Sequence, residues 1–259
     1  KLRASYGQVG NDVYTVGGVA QRFLYEEKWS QISNDYMFGT SGKSGIYETQ
    51  YPNYGVTWER AHKYNVGLEF GLWNGLLNGN IDLFHEKRND ILTNYLTRPE
   101  WVGVTMAAGN LGETVNSGFE IELKHNNHIG KEFQYNVGLT FSHAKNEIKN
   151  MDEPALKTDY RKREGHPIGQ YYGLVCDCFV TAADVADPNF PTSTFGNVQV
   201  GDLKYRDMNN DGFIDERDET FIGYSDVPEN TYAITLGCNY KGIGFSVMFQ
   251  GVDHVSRYY

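Results

Sequence analysis

Cysteine is scarce in this chain, apolar runs are short and basic residues are scattered. Each shortage removes a class of protein. Three cysteines stand among 259 residues, so they cannot all pair with one another. Cys176 and Cys178 lie two apart and share one face of a strand, a poor geometry for a disulfide. Cys238 belongs to another strand pattern, and all three read as small apolar fillers. No four-ligand zinc spacing is present. No run of about 18 apolar residues occurs, which excludes a transmembrane helix. No signal peptide opens the sequence. Lysine and arginine number 23 against 33 aspartates and glutamates, for a net charge of -10. Phosphate backbones need a concentrated basic face, so nucleic acid is excluded as a partner. Nucleophile elbows and phosphate loops are missing too. The seven histidines are scattered. Glu120 and Glu122 share a strand face and read as wall residues rather than a glycosidase pair. No residue is assigned as catalytic, and the chain does not read as an enzyme.

What is present is alternation. Hydrophobic residues make up 40% of the chain, with 29 glycines and 19 tyrosines, enough for one large β-domain or two smaller ones. Tyr64, Val66, Leu68, Phe70 and Leu72 fall on one face, with Asn65, Gly67, Glu69 and Gly71 on the other. The same period-two pattern runs through Leu77–Phe84, Phe119–Lys124, Phe133–Ser142, Tyr232–Tyr240 and Ile243–Gln250. Period two means a sheet with one apolar and one polar face. Both ends of the sequence read as lying inside strands, so a piece of a longer polypeptide is expected.

The connections alternate as well. Trp73-Asn74-Gly75, Asn126 to Gly130 and Tyr240-Lys241-Gly242 read as short turns. Between them lie long excursions: Gln8 to about Glu59, Asn89 to Val115, and Asn146 to Asn230. A transmembrane β-barrel places short turns on one side of the membrane and long loops on the other. Strands of roughly ten residues suffice to cross a bilayer when tilted. Tyr64, Trp73, Phe133 and Tyr240 near the strand ends fit interfacial aromatic girdles. The expected fold is therefore all-β, part of an antiparallel transmembrane barrel spanning residues 1–259. Outer-membrane lipid would cover its apolar face. Asn65, Glu69, Asn80, Asp82, Glu120, Glu122 and Asn136 would line a wet interior. The competing reading is a secreted, calcium-stabilised β-sandwich that binds carbohydrate.

The long segment 146–230 would then face the cell exterior. It contains Asp207-Met-Asn209-Asn-Asp211-Gly212-Phe213-Ile-Asp215-Glu-Arg-Asp218. Oxygen-bearing side chains fall at positions one, three, five, nine and twelve, with glycine at six. That is the spacing of an EF-hand calcium loop. Asp207, Asn209, Asp211, Asp215 and Asp218 would supply side-chain oxygens and Phe213 its carbonyl. Asp218 is shorter than the usual glutamate, which predicts weak binding. The flanks, Asn197 to Tyr205 and Thr220 to Ile222, read as strands rather than helices. A calcium ion here would be a structural staple. The alternative is an acidic turn held by its own side-chain-to-backbone bonds.

Five stretches resemble, in order, those of SusC/RagA-type TonB-dependent outer-membrane transporters. The first is Trp58-Glu59 through Tyr64-Asn65-Val-Gly67-Leu68-Glu69-Phe70. Asn116-Ser-Gly118-Phe119-Glu120 and Gly165-His-Pro167-Ile168-Gly169 through Tyr172-Gly173 follow. Gly201-Asp202-Leu-Lys204-Tyr205 then leads into the acidic loop and Ile222-Gly223. The last is Phe245-Ser-Val-Met-Phe249-Gln250-Gly251. The resemblance implies part of the C-terminal half of a plugged barrel of the roughly 22-stranded class, in a Gram-negative outer membrane. It also implies import of glycan oligosaccharides or peptides, powered by the TonB complex and assisted by a SusD-like surface lipoprotein. The plug and the TonB-contacting segment are expected outside this sequence. Candidate sugar-stacking aromatics on the outer loops are Tyr25, Trp29, Tyr36, Tyr47, Tyr51, Trp101 and Tyr171.

Overall fold

A computed structural model describes residues 1–16, 18–97, 100–154 and 158–258. Seven long strands form one sheet: β1 (Leu2–Asn11), β2 (Glu59–Leu72), β3 (Leu77–Thr93), β4 (Gly109–Ile129), β5 (Phe133–Asn150), β6 (Asn230–Tyr240) and β7 (Ile243–Asp253). Each pairs antiparallel with the next in sequence, so the sheet is an up-and-down meander.

The register carries one chemical stripe across all seven strands. Leu2 lies opposite Leu68, Leu68 opposite Ile81, and Ile81 opposite Ile121. The row continues through Phe141 and Tyr232 to Gly251. A one-residue slip in any pairing would interleave the two faces. Among the described residues nothing packs on the apolar side. Leu68 is 43% exposed, Leu83 54% and Phe245 65%. Among the described residues the buried hydrophobics are Leu24, Ala61, Ala107, Ala108, Val180 and Ile214, and only Ala61 belongs to this sheet. A sandwich needs a second layer over its apolar face. The described residues hold no such layer, so the sandwich reading falls.

The height of the stripe fits a bilayer. From Phe119 to Ile129 on β4 the backbone rises roughly 33 Å, which is about 25 Å once tilted as barrel strands are. Rings border it on both sides. Tyr6 and Tyr64 lie 5.0 Å apart between centroids, and Tyr64 lies 6.2 Å from His85. At the short-turn end Phe133 meets Tyr135 at 6.1 Å and Tyr240 at 6.4 Å.

Two short turns stand where the sequence places them. Asn74 (φ 55°) and Gly75 (φ 90°) close the first, and Lys241 (φ 50°) with Gly242 (φ 86°) closes the last. Such φ values suit Asn and Gly. The middle turn differs. Strand β4 runs on to Ile129, so Asn126 to His128 are strand residues and the turn is 130–132. Tyr135 explains part of this: its hydroxyl lies 3.2 Å from both Asn127 Nδ2 and His125 Nε2, a cross-strand clasp that turn chemistry does not reveal.

At the other end the strands outrun the expected boundaries. β3, β4 and β5 have 17, 21 and 18 residues, well beyond the roughly 9–11 that cross hydrocarbon. The excess is stitched by ion pairs: Arg88 to Glu59 at 2.8 Å and to Glu86 at 2.9 Å, Lys63 to Glu86 at 3.1 Å, Lys87 to Glu113 at 2.8 Å. Tyr64 consequently lies inside β2 rather than at its end. The long connections shrink to 12–58, 94–108 and 151–229. The first holds a hairpin of two eleven-residue strands, Lys28–Phe38 against Ser41–Tyr51.

The cysteines also differ from expectation. All three are free, and Cys176 and Cys178 are exposed rather than fillers. The strand pairing slips between them, setting Cys176 opposite Tyr205 and Cys178 opposite Lys204. A bulge of this kind breaks the alternation that would put both on one face.

An arginine on the apolar stripe tests the assignment of faces. Ile121→Arg should lower the stability of the complete protein in lipid vesicles by ~2–4 kcal/mol, whereas Thr140→Arg, on the polar face, should cost far less. Urea unfolding measures both, and equal losses would contradict it.

Candidate functional site

The polar face of the sheet is the first functional surface. Asn65, Glu69, Asn80, Asp82, Glu120, Glu122 and Asn136 all fall on it, as the register requires. Its centre is Arg3, which the sequence does not single out. Its guanidinium donates to Glu69 Oε1 at 2.7 Å, to Asn80 Oδ1 at 3.0 Å and to the Asp82 carboxylate. Arg3 and Asp82 crowd the backbone at Gly67, where a Cβ would collide with both. Three strands are thus clasped by one cation. Glu120 lies directly opposite Asp82, and Glu122 pairs with Lys124. Charge then stops: the polar face of β5, β6 and β7 carries Gln134, Asn136, Thr140, Ser142, Thr231, Thr235, Asn239, Ser246 and Gln250 but no ionisable side chain. The wall has a charged part and a neutral amide-and-hydroxyl part.

The acidic loop is the second. Only Leu203–Tyr205 of its expected leading strand forms, while Thr220–Ser225 follows it as expected. Asp207 Oδ2 accepts from Gly212 N at 2.8 Å, Asn209 Oδ1 from Asp211 N at 2.9 Å, and Asp211 Oδ1 from Phe213 N at 2.9 Å. Gly212 adopts φ 82°, the left-handed region that glycine enters without penalty. Phe213 joins a short parallel pairing with Thr192. Asp218 is completely buried. Its two oxygens accept from Met208 N and Asp215 N, both at 2.9 Å. Arg217 bridges Asp211 at 3.0 Å and Asp215 at 2.7 Å, and this guanidinium holds the Asp215 carboxyl below its ordinary range. The structure therefore brings Asp207, Asn209 and Asp211 into one bonded turn, ties Asp215 to Arg217, and sinks Asp218 beneath them. Among the described residues no three acidic, histidine or cysteine side chains converge as a ready metal cage. The donor set itself, all hard oxygens, fits calcium chemistry.

Comparison with known proteins places the sheet in a family. A family model described as "TonB dependent receptor-like, beta-barrel" matches residues 1–259. The chain belongs to that family. TonB-dependent receptor P26 of Formosa agariphila is 26% identical over 269 residues, covering 98% of this chain and 25% of its own length. TonB-dependent receptor SusC of Bacteroides thetaiotaomicron is 26% identical, covering 95% of this chain and 24% of its own length. The chain thus spans about a quarter of the curated relatives it matches. Among solved structures, the RagAB peptide importer in its "open-open" state overlays with a TM-score of 0.67 at 19% identity, across 98% of this chain and 26% of that one; its "closed-closed" state gives 0.64 at 20%.

As a TonB-dependent receptor barrel segment, the sheet is an outer-membrane wall. Its apolar stripe meets lipid and its polar face meets the lumen. β1 and β7 do not pair with each other, so these seven strands form an open arc. The family is one of receptors and transporters, which agrees with the lack of an assigned catalytic residue. Of the loop aromatics, Tyr25, Trp29, Tyr47, Tyr51 and Trp101 are exposed. The side chain of Tyr36 lies outside the described residues. Tyr171 is half-buried, its hydroxyl accepting from Tyr258 N at 3.2 Å. Arg217 was within reach of sequence reasoning, since it is a cation set among five acids.

Removing the buried acceptor tests the loop. Asp218→Ala leaves Met208 N and Asp215 N without partners, which should weaken the loop locally by about 1–3 kcal/mol. Hydrogen exchange of residues 207–218 in the complete protein should rise while that of β2 to β5 stays unchanged.

Proposed function

We propose that the complete protein is an energised importer of oligosaccharides or peptides across the Gram-negative outer membrane. One observation carries this reading: a single-layer sheet, apolar on one face and polar on the other in unbroken register, in a chain matched throughout by the receptor family model. A lipid-facing wall with a wet inner face serves passage rather than chemistry, and no catalytic step is assigned to it. The long connections 12–58, 94–108 and 151–229 lie on the cell-exterior side. They offer the surface on which a SusD-like lipoprotein would cap the lumen; the solved neighbours are RagAB assemblies. Energy would come from the TonB complex acting through other parts of the polypeptide. The test is uptake. Cells displaying the complete protein should accumulate a labelled oligosaccharide or peptide, and an uncoupler of the inner-membrane proton gradient should stop it. Accumulation that survives the uncoupler, or none at all with any such solute, counts against import.

The loop at 207–218 is proposed as a weak structural calcium site, held by Asp207, Asn209, Asp211, Asp215, Asp218 and the Phe213 carbonyl. Extracellular modules tolerate weak sites, with Kd values on the order of 10⁻⁴–10⁻³ M. Arg217 is the competitor: its guanidinium neutralises Asp211 and Asp215 without a metal. Arg217→Ala should therefore bind calcium severalfold more tightly. Chelation should speed proteolytic cleavage between Asp207 and Asp218. Cleavage indifferent to calcium in both the natural protein and Arg217→Ala would leave the self-bonded turn as the whole account.

A further inference from the structure

A cleft of about 730 Å³ lies at the long-loop rim of the wall. Asp12 stands just past the end of β1, Trp58 just before β2, and Leu92 near the end of β3. Its volume falls within the roughly 300–1,000 Å³ of small-ligand sites. The floor is firm. Leu24 is buried with Ala107 and Ala108, and Tyr14, Val56 and Leu92 pack against them. Asn53 ties that floor from both sides, its N–H donating to Leu24 O at 2.7 Å and its Nδ2 to Ala108 O at 2.9 Å. Tyr14 donates to Asn94 Oδ1 at 3.0 Å.

The walls are the reverse of the floor. Phe23, Tyr25 and Trp58 are 56%, 50% and 65% exposed, although an apolar cluster lies beside them. Phe23 holds φ 57°, a conformation disfavoured for a bulky residue. That backbone sends Leu24 into the floor while the flanking rings, 6.2 Å apart and edge-on, remain outside. Local strain of this sort is a pointer to function. Asp12, Gln21 and Arg22 line the same cleft. Neither Asp12 nor Arg22 is ion-paired among the described residues, so the cleft offers a free acceptor, a free donor and no net charge.

We propose that this cleft binds a neutral oligosaccharide, with sugar rings stacked on the open faces of Phe23 and of Tyr25 and their hydroxyls bonded to Asp12 and Arg22. A pyranose presents an apolar C–H face beside a ring of hydroxyls that both donate and accept. Open aromatic faces next to balanced polar groups match it. A charged ligand gains little from a cleft whose charges cancel. The proposal rests on the import reading only in naming its substrate class.

Calorimetry and tryptophan fluorescence on the complete protein in detergent, titrated with maltoheptaose, laminarihexaose and xylohexaose, test it. At least one of these sugars should bind. Phe23→Ala and Tyr25→Ala should each weaken binding by roughly tenfold, while Tyr25→Phe, which keeps the ring, should stay within about twofold. Circular dichroism confirms that each variant is folded. No binding by any of the three sugars, unchanged affinity in both alanine variants, or occupancy only by peptides from a casein digest would overturn the proposal. The two readings fail separately. Uptake that continues in variants with unaltered affinity removes the cleft and leaves import. Ring-dependent binding in a protein that takes nothing up removes import and leaves the cleft.

Discussion

In hydrocarbon a backbone N–H or C=O without a partner costs several kcal/mol, because no water is there to replace it. Every other feature of this sheet follows from that penalty. Strands β2 to β6 are paired on both sides along most of their length. With hydrogen bonding complete within the layer, both faces are left to side chains alone, and each can meet a different solvent. No second layer is needed, and the lack of a buried core under this sheet is a consequence rather than a defect. The outer edges of β1 and β7 are the places where the same penalty still has to be met, and the chain spans about a quarter of its relatives' length.

The two-solvent arrangement also sorts the charges. Between the ring girdles, the ion pairs of Arg3 and Lys124 all sit on the lumen side. Above the girdles, where water reaches both faces, Lys87 stands in the row of Gln8 and His62 and pairs with Glu113. That change marks where the bilayer ends better than strand length does, since the strands continue well past it.

The sheet was legible because period-two alternation is a local signal. Leu68, Ile81 and Ile121 declare their face without knowledge of their neighbours, and the register only lines them up. Other features depended on partners distant in sequence. Asn126 to His128 carry turn-forming residues, yet Tyr135 holds them in the strand. The polar upper parts of β3 and β4 lack alternation by hydropathy, and only cross-strand ion pairs such as Arg88 with Glu59 reveal them. The bulge between Cys176 and Cys178 arises from pairing with Leu203–Tyr205, which no two-residue spacing can report. The acidic loop was half legible: its residues foretell a turn held by its own side-chain-to-backbone bonds, and Asp207, Asn209 and Asp211 form them. Arg217 in their midst is visible in the sequence, but its bridging of Asp211 and Asp215 depends on how the turn folds.

The outer loops face a problem opposite to that of the wall. They lie in water, where backbone groups are readily satisfied, and their buried apolar clusters are small. The segment 151–229 responds with local polar clasps. Thr181 and Asp184 cap a five-residue helix, and Lys204 reaches Asp184 from a neighbouring strand. Lys204 and Thr181 together hold the Asp184 carboxyl far below the ordinary 3.8, so this clasp is intact above that value and lost only as pH falls well beneath it. Asp218 goes further, since a fully buried carboxylate between two backbone N–H groups fixes both ends of its turn. Around it Arg217 sets a positive charge against Asp211 and Asp215. A loop carrying its own counter-ion is drawn together from within the chain, and the calcium ion proposed above would add a second clamp to the same acids.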